Sequence, residues 1–157
     1  MNTTSTLQTN ATSLASKKNN GDDFDAAKLI ENWQQVNEQV AQASVQAQRQ
    51  KDEIILLAVS KTKPVEMIAT LARQGQYDFG ENYLQEAIEK IQALRQQSDC
   101  EHIVWHYIGS IQRNKTRDIA EHFDWVQTLE REIIAKRLHE QRPAELPALN
   151  VLIQVNI

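Results

Sequence analysis

Residues 53–59 read Glu-Ile-Ile-Leu-Leu-Ala-Val, a continuous apolar run of strand length, as expected of a strand buried on both faces of a parallel sheet. Ahead of it, apolar residues recur at Ile30, Trp33, Val36, Val40 and Ala43, a spacing that predicts a helix to about residue 50 with one face against a sheet. After it, Pro64 suits the first helical position, where its missing N–H would be unpaired anyway, and Gly75 suits a C-terminal cap. The rhythm then repeats. Tyr77-Asp78-Phe79 predicts a strand, and Leu84, Ala87, Ile88, Ile91 and Leu94 mark one side of a helix from about Tyr83. Residues 103–108 predict a third strand, and 116–122 a third helix in this series. Residues 124–128 predict a fourth strand, 130–141 a helix with Ile133, Ile134, Arg137 and Leu138 in phase, and 149–155 a fifth strand.

Strictly alternating strand and helix implies parallel strands joined by right-handed crossovers, so the fold class is α/β. A doubly wound sheet and a barrel both fit that alternation. Counting favours the barrel: an eight-unit barrel takes about 250 residues, and five strands in 157 residues match its first five-eighths. The expectation is a TIM (β/α)8-type barrel truncated after the fifth strand, because the last apolar run has no helix after it. Residues 1–23 are rich in Ser, Thr, Asn and Gln, too polar to offset the entropy of ordering, and read as a flexible tail before one domain over 24–157.

Charge and cysteine usage narrow the function. With 21 acidic and 17 basic residues the net charge is -4, which opposes the broad basic field of sequence-independent nucleic-acid binding. A single cysteine, Cys100, builds no internal disulfide and no multi-cysteine metal site, which suits a reducing cytoplasm. No apolar run is long enough for a transmembrane helix, and the first residues lack a secretory core, so neither membrane nor export is expected. The four histidines form no HxxxH or HExxH pair, so no metal is expected.

Candidate chemistry gathers where α/β folds place ligands, past the carboxyl ends of strands. Ser60-Lys61-Thr62-Lys63-Pro64 follows the first strong strand, and Pro64 pushes Lys63 toward extended backbone, which would send Lys61 and Lys63 to the same side. Two neighbouring ammonium groups repel, which favours the neutral amine that attacks an aldehyde. Two solvated loop lysines are the commoner outcome of such spacing. Gly80-Glu81-Asn82 would bring a carboxylate and an amide to the same rim, with helix capping as the alternative role of Asn82. In Trp105-His106-Tyr107-Ile108, alternation puts His106 and Ile108 on one face and the other two on the opposite face, one pair looking into the barrel. Gly109-Ser-Ile-Gln-Arg-Asn-Lys115-Thr116 approaches the phosphate-cradling GxxxxGK[ST] loop, but Asn114 stands where the second glycine belongs. It reads instead as a turn into a helix whose N-terminus, with Arg113, Lys115 and Arg117, would attract an anion, the basis of a rival phosphate- or nucleic-acid-binding module.

Five blocks, AVSKTKP from Ala58, FGENYLQEAIEK from Phe79, WHYIGSIQRNKT from Trp105, AEHFDW from Ala120 and NVLIQVNI at the end, together resemble the pyridoxal 5'-phosphate homeostasis protein family. The resemblance implies a barrel of the alanine racemase kind with pyridoxal 5'-phosphate held as a Schiff base on a lysine. The first lysine of the VSKTKP block, Lys61, would be the anchor and Lys63 a neighbour. Asn82 and the strand face bearing His106 and Ile108 would line the cofactor. It also implies a carrier or buffer in vitamin B6 homeostasis without established turnover, monomeric when intact, with apo pyridoxal-phosphate enzymes as partners and phosphate-binding residues beyond Ile157. The alternative is a racemase-like pyridoxal-phosphate enzyme, for which Tyr83 and His106 are the candidates for a second acid/base group.

Overall fold

A computed structural model of the chain describes residues 24–155; the polar tail read for residues 1–23 lies outside them. Five parallel strands form one sheet: β1 (Ala58–Val59), β2 (Asp78–Glu81), β3 (Val104–Tyr107), β4 (Trp125–Leu129) and β5 (Asn150–Ile153). The helices are α1 (Ala26–Gln46) ahead of the sheet, then α2 (Val65–Ala72), α3 (Leu84–Leu94), α4 (Thr116–His122) and α5 (Glu132–Gln141), one in each crossover.

Strand order separates the two α/β architectures that alternation left open. Spatial order follows chain order, β1-β2-β3-β4-β5, so the sheet never reverses its direction of travel. A doubly wound sheet must reverse once, to put helices on both faces. Right-handed crossovers that all advance one way lay their helices in one layer, and here α2 packs on α3, α3 on α4 and α4 on α5. The sheet is a singly wound arc of the barrel type.

Alternation along the strands sorts side chains between two faces. Phe79, Trp105, Tyr107 and Val126 point toward the helices, where they meet Ile68, Ile91, Ile119, Phe123 and Ile134 in the core. Phe79 tilts against Trp105 with ring centroids 6.1 Å apart, and Phe123 meets Tyr107 edge-on at 5.2 Å. The opposite, inner face carries Asp78, His106 and Trp125. Between Val126 and Leu129 the register of β4 against β5 slips, and this bulge returns both residues to the helix side.

Several elements depart from the pattern-based expectation for physical reasons. The first apolar run pairs only at Ala58–Val59, its start being a 3-10 turn at Lys51–Glu53. Ile55 is 61% and Val59 49% exposed, so this run is not buried on both faces. β1 is an edge with one neighbour, and the described residues put no wall opposite it. Pro64 sits at the cap of α2, one position before the expected start, while Gly75 takes φ 95° and closes the helix through Gln76 N–H to Leu71 O and Gly75 N–H to Ala72 O. β2 runs through Gly80 and Glu81 instead of ending before them. On α1, Val36 and Ala43 are exposed and the packed stripe runs Trp33, Asn37, Val40, Ser44. Asn37 and Ser44 fit there because their side chains donate back to Trp33 O and Val40 O. On α5, Ile134 and Leu138 are buried but Ile133 is 45% exposed.

Candidate functional site

In the register of the first three strands Val59 stands beside Gly80, and Gly80 beside His106. Two residues further on, past or at the carboxyl ends, come Lys61, Asn82 and Ile108. The topology therefore gathers three of the four expected site residues on one level of the rim, with His106 one layer deeper.

Lys61 sits in a tight turn. Lys63 N–H donates to Ser60 O at 3.0 Å, and Thr62 adopts φ 62°. A turn at 60–63 breaks the alternation expected to carry Lys61 and Lys63 to the same side. Both lysines are exposed, and among the described residues neither makes a hydrogen bond or ion pair through its ammonium group.

Beneath the turn lies an ionic cluster whose Glu81–Lys90 pair is buried and whose Glu86 is half-buried. Glu81 projects to the helix side and is 0% exposed; its Oε1 accepts from Ser60 Oγ at 2.7 Å and Lys90 Nζ at 2.8 Å. Lys90, on α3, also donates to Ser60 O at 2.8 Å and pairs with Glu86 Oε1 at 2.5 Å. Glu86 Oε1 in turn accepts the Thr62 N–H at 2.7 Å. Burial works to raise the Glu86 carboxyl, but the hydrogen bonds from Lys90 and Thr62 and the Lys90 charge outweigh it and hold Glu86 below the usual carboxylate range. Sequence reasoning placed Glu81 at the rim beside Asn82 and passed over Lys90. The available signals were a Glu86–Lys90 pair at helical spacing and a lysine inside the stripe formed by Ala87, Ile91 and Leu94.

Asn82 does not cap α3. The cap position is Tyr83, with no side-chain hydrogen bond, and Asn82 Oδ1 is buried without a partner among the described residues. Ile108 reaches over Gly80 on the inner face: a Cβ built at Gly80 would lie 3.2 Å from Ile108 Cδ1. An open depression beside this rim is lined by Asn82, Tyr83, Tyr107, Gly109, Ser110 and Lys115. His106 is 3% exposed, with Nε2 2.9 Å from Asp78 Oδ1 and Nδ1 3.0 Å from Gln127 Nε2. The Gln127 amide donates to Nδ1, so Nε2 carries the proton and donates to Asp78. The ring also stacks on Trp125 at 5.6 Å. Both nitrogens being engaged, His106 shapes the inner face and has no free lone pair for proton transfer.

The basic turn after β3 is internally tied. Arg113–Lys115 is a 3-10 turn, Thr116 Oγ1 donates to Gln141 Oε1 at 2.7 Å, and Arg137 Nε reaches Arg113 O and Thr116 Oγ1. Arg117 faces Glu121 at 3.7 Å. Gly109 serves backbone approach here, since a Cβ would fall 2.5 Å from Asn82 O. The AEHFDW block is structural: Ala120 and Phe123 are fully buried, and Asp124 accepts the Trp105 N–H at 2.8 Å. Arg142, which pattern reading did not single out, donates to the carbonyls of Ala120 and Phe123 at the end of α4. Among the described residues no group of three His, Cys, Asp or Glu is placed to hold a metal, and no helix is long and apolar enough to cross a membrane. Cys100 is buried, and burial together with the Asp99 carboxylate pushes its thiol up, away from reactivity.

No family model matches the chain. Curated relatives named pyridoxal phosphate homeostasis protein do, and two of them illustrate the match. That of Escherichia coli K12 is 50% identical over 129 residues, covering 82% of this chain and 55% of the relative. That of Pasteurella multocida is 52% identical over 129 residues, covering 82% and 54%. Among solved structures, PipY of Synechococcus elongatus PCC7942 with PLP bound aligns at TM-score 0.52 and 37% identity, over 65% of this chain and 47% of that one. An unknown protein from Bifidobacterium adolescentis aligns at TM-score 0.66 and 25% identity, over 78% and 53%. The chain spans about half the length of the curated relatives it matches. On that half about one residue in two is identical, so it is to the pyridoxal phosphate homeostasis proteins that the chain is similar.

Proposed function

We propose that this protein binds pyridoxal 5'-phosphate through Lys61 and serves as a cytoplasmic carrier or buffer that yields the cofactor to apo pyridoxal-phosphate enzymes. The observation that carries the reading is the contrast between two lysines at one rim. Lys90 directs its N–H bonds at Ser60 O, Glu81 and Glu86 and offers nothing to an aldehyde. Lys61, on the turn above, is exposed and unpaired among the described residues. The cofactor supplies the aldehyde that such an amine captures.

The surrounding residues fit the group. Asn82 brings an amide whose Oδ1 lacks a partner, Ile108 offers an apolar wall, and His106 supports the floor one layer down. Lys115 lines the adjoining depression and supplies positive charge for a phosphate. The proposal is binding and release, without turnover. Proton transfer from a second face would fall to Tyr83, which is 55% exposed, or to His106, whose nitrogens are occupied.

Borohydride reduction of the protein mixed with pyridoxal phosphate, followed by peptide mapping, tests the assignment. The expected label is on Lys61, and Lys61→Ala should lose it while melting as the parent does, because an exposed rim lysine contributes little packing. A label on Lys63 or Lys90 would overturn the assignment.

A further inference from the structure

We infer that Glu81, Lys90 and Glu86 are positioning residues that brace the 60–62 turn and so set where the Lys61 amine stands. The inference rests on the reading of Lys61 as the attachment lysine.

A buried ion pair is an expensive feature. Lys90 and Glu81 side chains are 6% and 0% exposed, and pairs so deeply buried are often replaced by apolar residues without loss of stability. Position 90 lies in the packed stripe of α3, where leucine or methionine would serve the core. What a leucine would not supply is the pattern of bonds. Lys90 Nζ holds Ser60 O, Glu81 Oε1 holds Ser60 Oγ, and Glu86 Oε1 holds the Thr62 N–H. The cluster thus grips the residue before Lys61 and the residue after it, and leaves Lys61 itself untouched.

The backbone gives an independent sign. Thr62 is β-branched yet sits at φ 62°, a region that such residues avoid. Strain of this kind persists only where neighbouring contacts over-determine it, and it gathers at functional sites. The contact that holds Thr62 is Glu86, itself held by Lys90. The charges beneath the turn therefore maintain a conformation that the local sequence resists.

The chemical consequence concerns approach. Capture joins Nζ to the aldehyde carbon as a C=N bond, and the carbonyl oxygen leaves as water with the two amine hydrogens. An amine carried on a fixed turn is held near its attack position; an amine on a loose turn must find that position, and Lys63, two residues away, then competes. Misplacing a reacting group by about an ångström is felt as up to about a hundredfold in rate.

The test measures the rate of capture of free pyridoxal phosphate by absorbance and maps the borohydride-fixed label, with melting temperature as the control for folding. Glu86→Ala is expected to slow capture about tenfold or more and to spread label to Lys63, on the scale that misplacement sets. Glu86→Gln, which keeps an oxygen for the Thr62 N–H, should restore most of the rate. Thr62→Gly relieves the positive φ and should melt no lower than the parent, yet also slow capture because the turn is freed. A purely structural role predicts the reverse for that variant. Lys90→Met should behave as Glu86→Ala; if it does not fold, Glu86 and Thr62, which are not buried, carry the test. Parent-like rates with label confined to Lys61 in folded Glu86→Ala and Thr62→Gly would overturn the bracing while leaving the attachment reading intact. A parent protein that takes no label at Lys61 would overturn both.

Discussion

Gly109 has no room for a side chain. A Cβ there would sit 2.5 Å from Asn82 O, 3.0 Å from Asn82 Cα and 3.0 Å from Tyr107 Oη, and two of those atoms are backbone. Gly109→Ala is therefore expected to cost about 1–3 kcal/mol, the range of overpacked substitutions, and to displace Asn82 from the rim. Gly80→Ala meets only the side-chain ends of Ile108 and Leu57, at 3.2 and 3.3 Å, both able to yield. The smaller unfolded-state entropy of alanine, worth about 0.4–1 kcal/mol, should leave that variant near neutral. Urea denaturation of the pair checks the contrast, and equal losses would contradict it. At this scale the sequence is legible where a residue's role is local. The position of Lys61 past a strand end could be read from its place after an apolar run, whereas Gly109 invites a phosphate-loop reading because nothing in one dimension says that Asn82 crosses it. Alternation put His106 and Ile108 on one strand face without saying which face looks inward, and it could not show His106 as satisfied, since Asp78 and Gln127 lie 28 and 21 residues away.

Among elements, the turn between β1 and α2 depends on a carboxylate supplied by α3. Glu86 is held below its ordinary range in the folded protein, so it binds its last proton at lower pH when folded than when unfolded. Its contribution to stability is then complete above the unfolded carboxylate value of about 4.3 and is lost as pH falls through the lower folded value. Comparing the parent with Glu86→Gln by denaturation across pH should show a constant difference from neutral down to about pH 6, well above that carboxylate value. The difference should shrink in acid, and a gap that widens there would contradict the coupling. Gly75→Ala probes another junction. No atom lies within 4 Å of its would-be Cβ, so the expected loss of about 1–2 kcal/mol comes from φ 95° alone. The glycine cap was legible because it acts within its own helix. The length of β1 was not: hydrophobicity marks a run as strand-like but says nothing about how much of it finds a partner. Nor was the packed stripe of α1, because Asn37 and Ser44 become tolerable only once their side chains bond back to the helix.

For the molecule as a whole, alternating elements were enough to give α/β, and strand count pointed to a barrel; what decided it was strand order, a property of neighbours in space that no periodicity encodes. The same order fixes where the sheet is open. Among the described residues β1 and β5 each have one neighbour, all four residues of β5 are exposed, and Ile153 and Val155 are each 76% exposed. Unpaired N–H and C=O groups beside apolar side chains form an edge onto which another strand adds readily. On the inner face Val59 and Leu152 add apolar area, each Å² worth about 25 cal/mol if another surface covers it. The 157-residue chain is therefore expected to associate with further copies of itself as concentration rises. Lysine is the residue with which natural edge strands resist pairing, so Ile153→Lys combined with Val155→Lys should shift the population toward monomer without lowering the melting temperature, because neither side chain is packed. Light scattering over a concentration series measures both. A parent chain that stays monomeric throughout, or a double variant that associates as the parent does, would show that the β5 edge is not the surface through which copies meet.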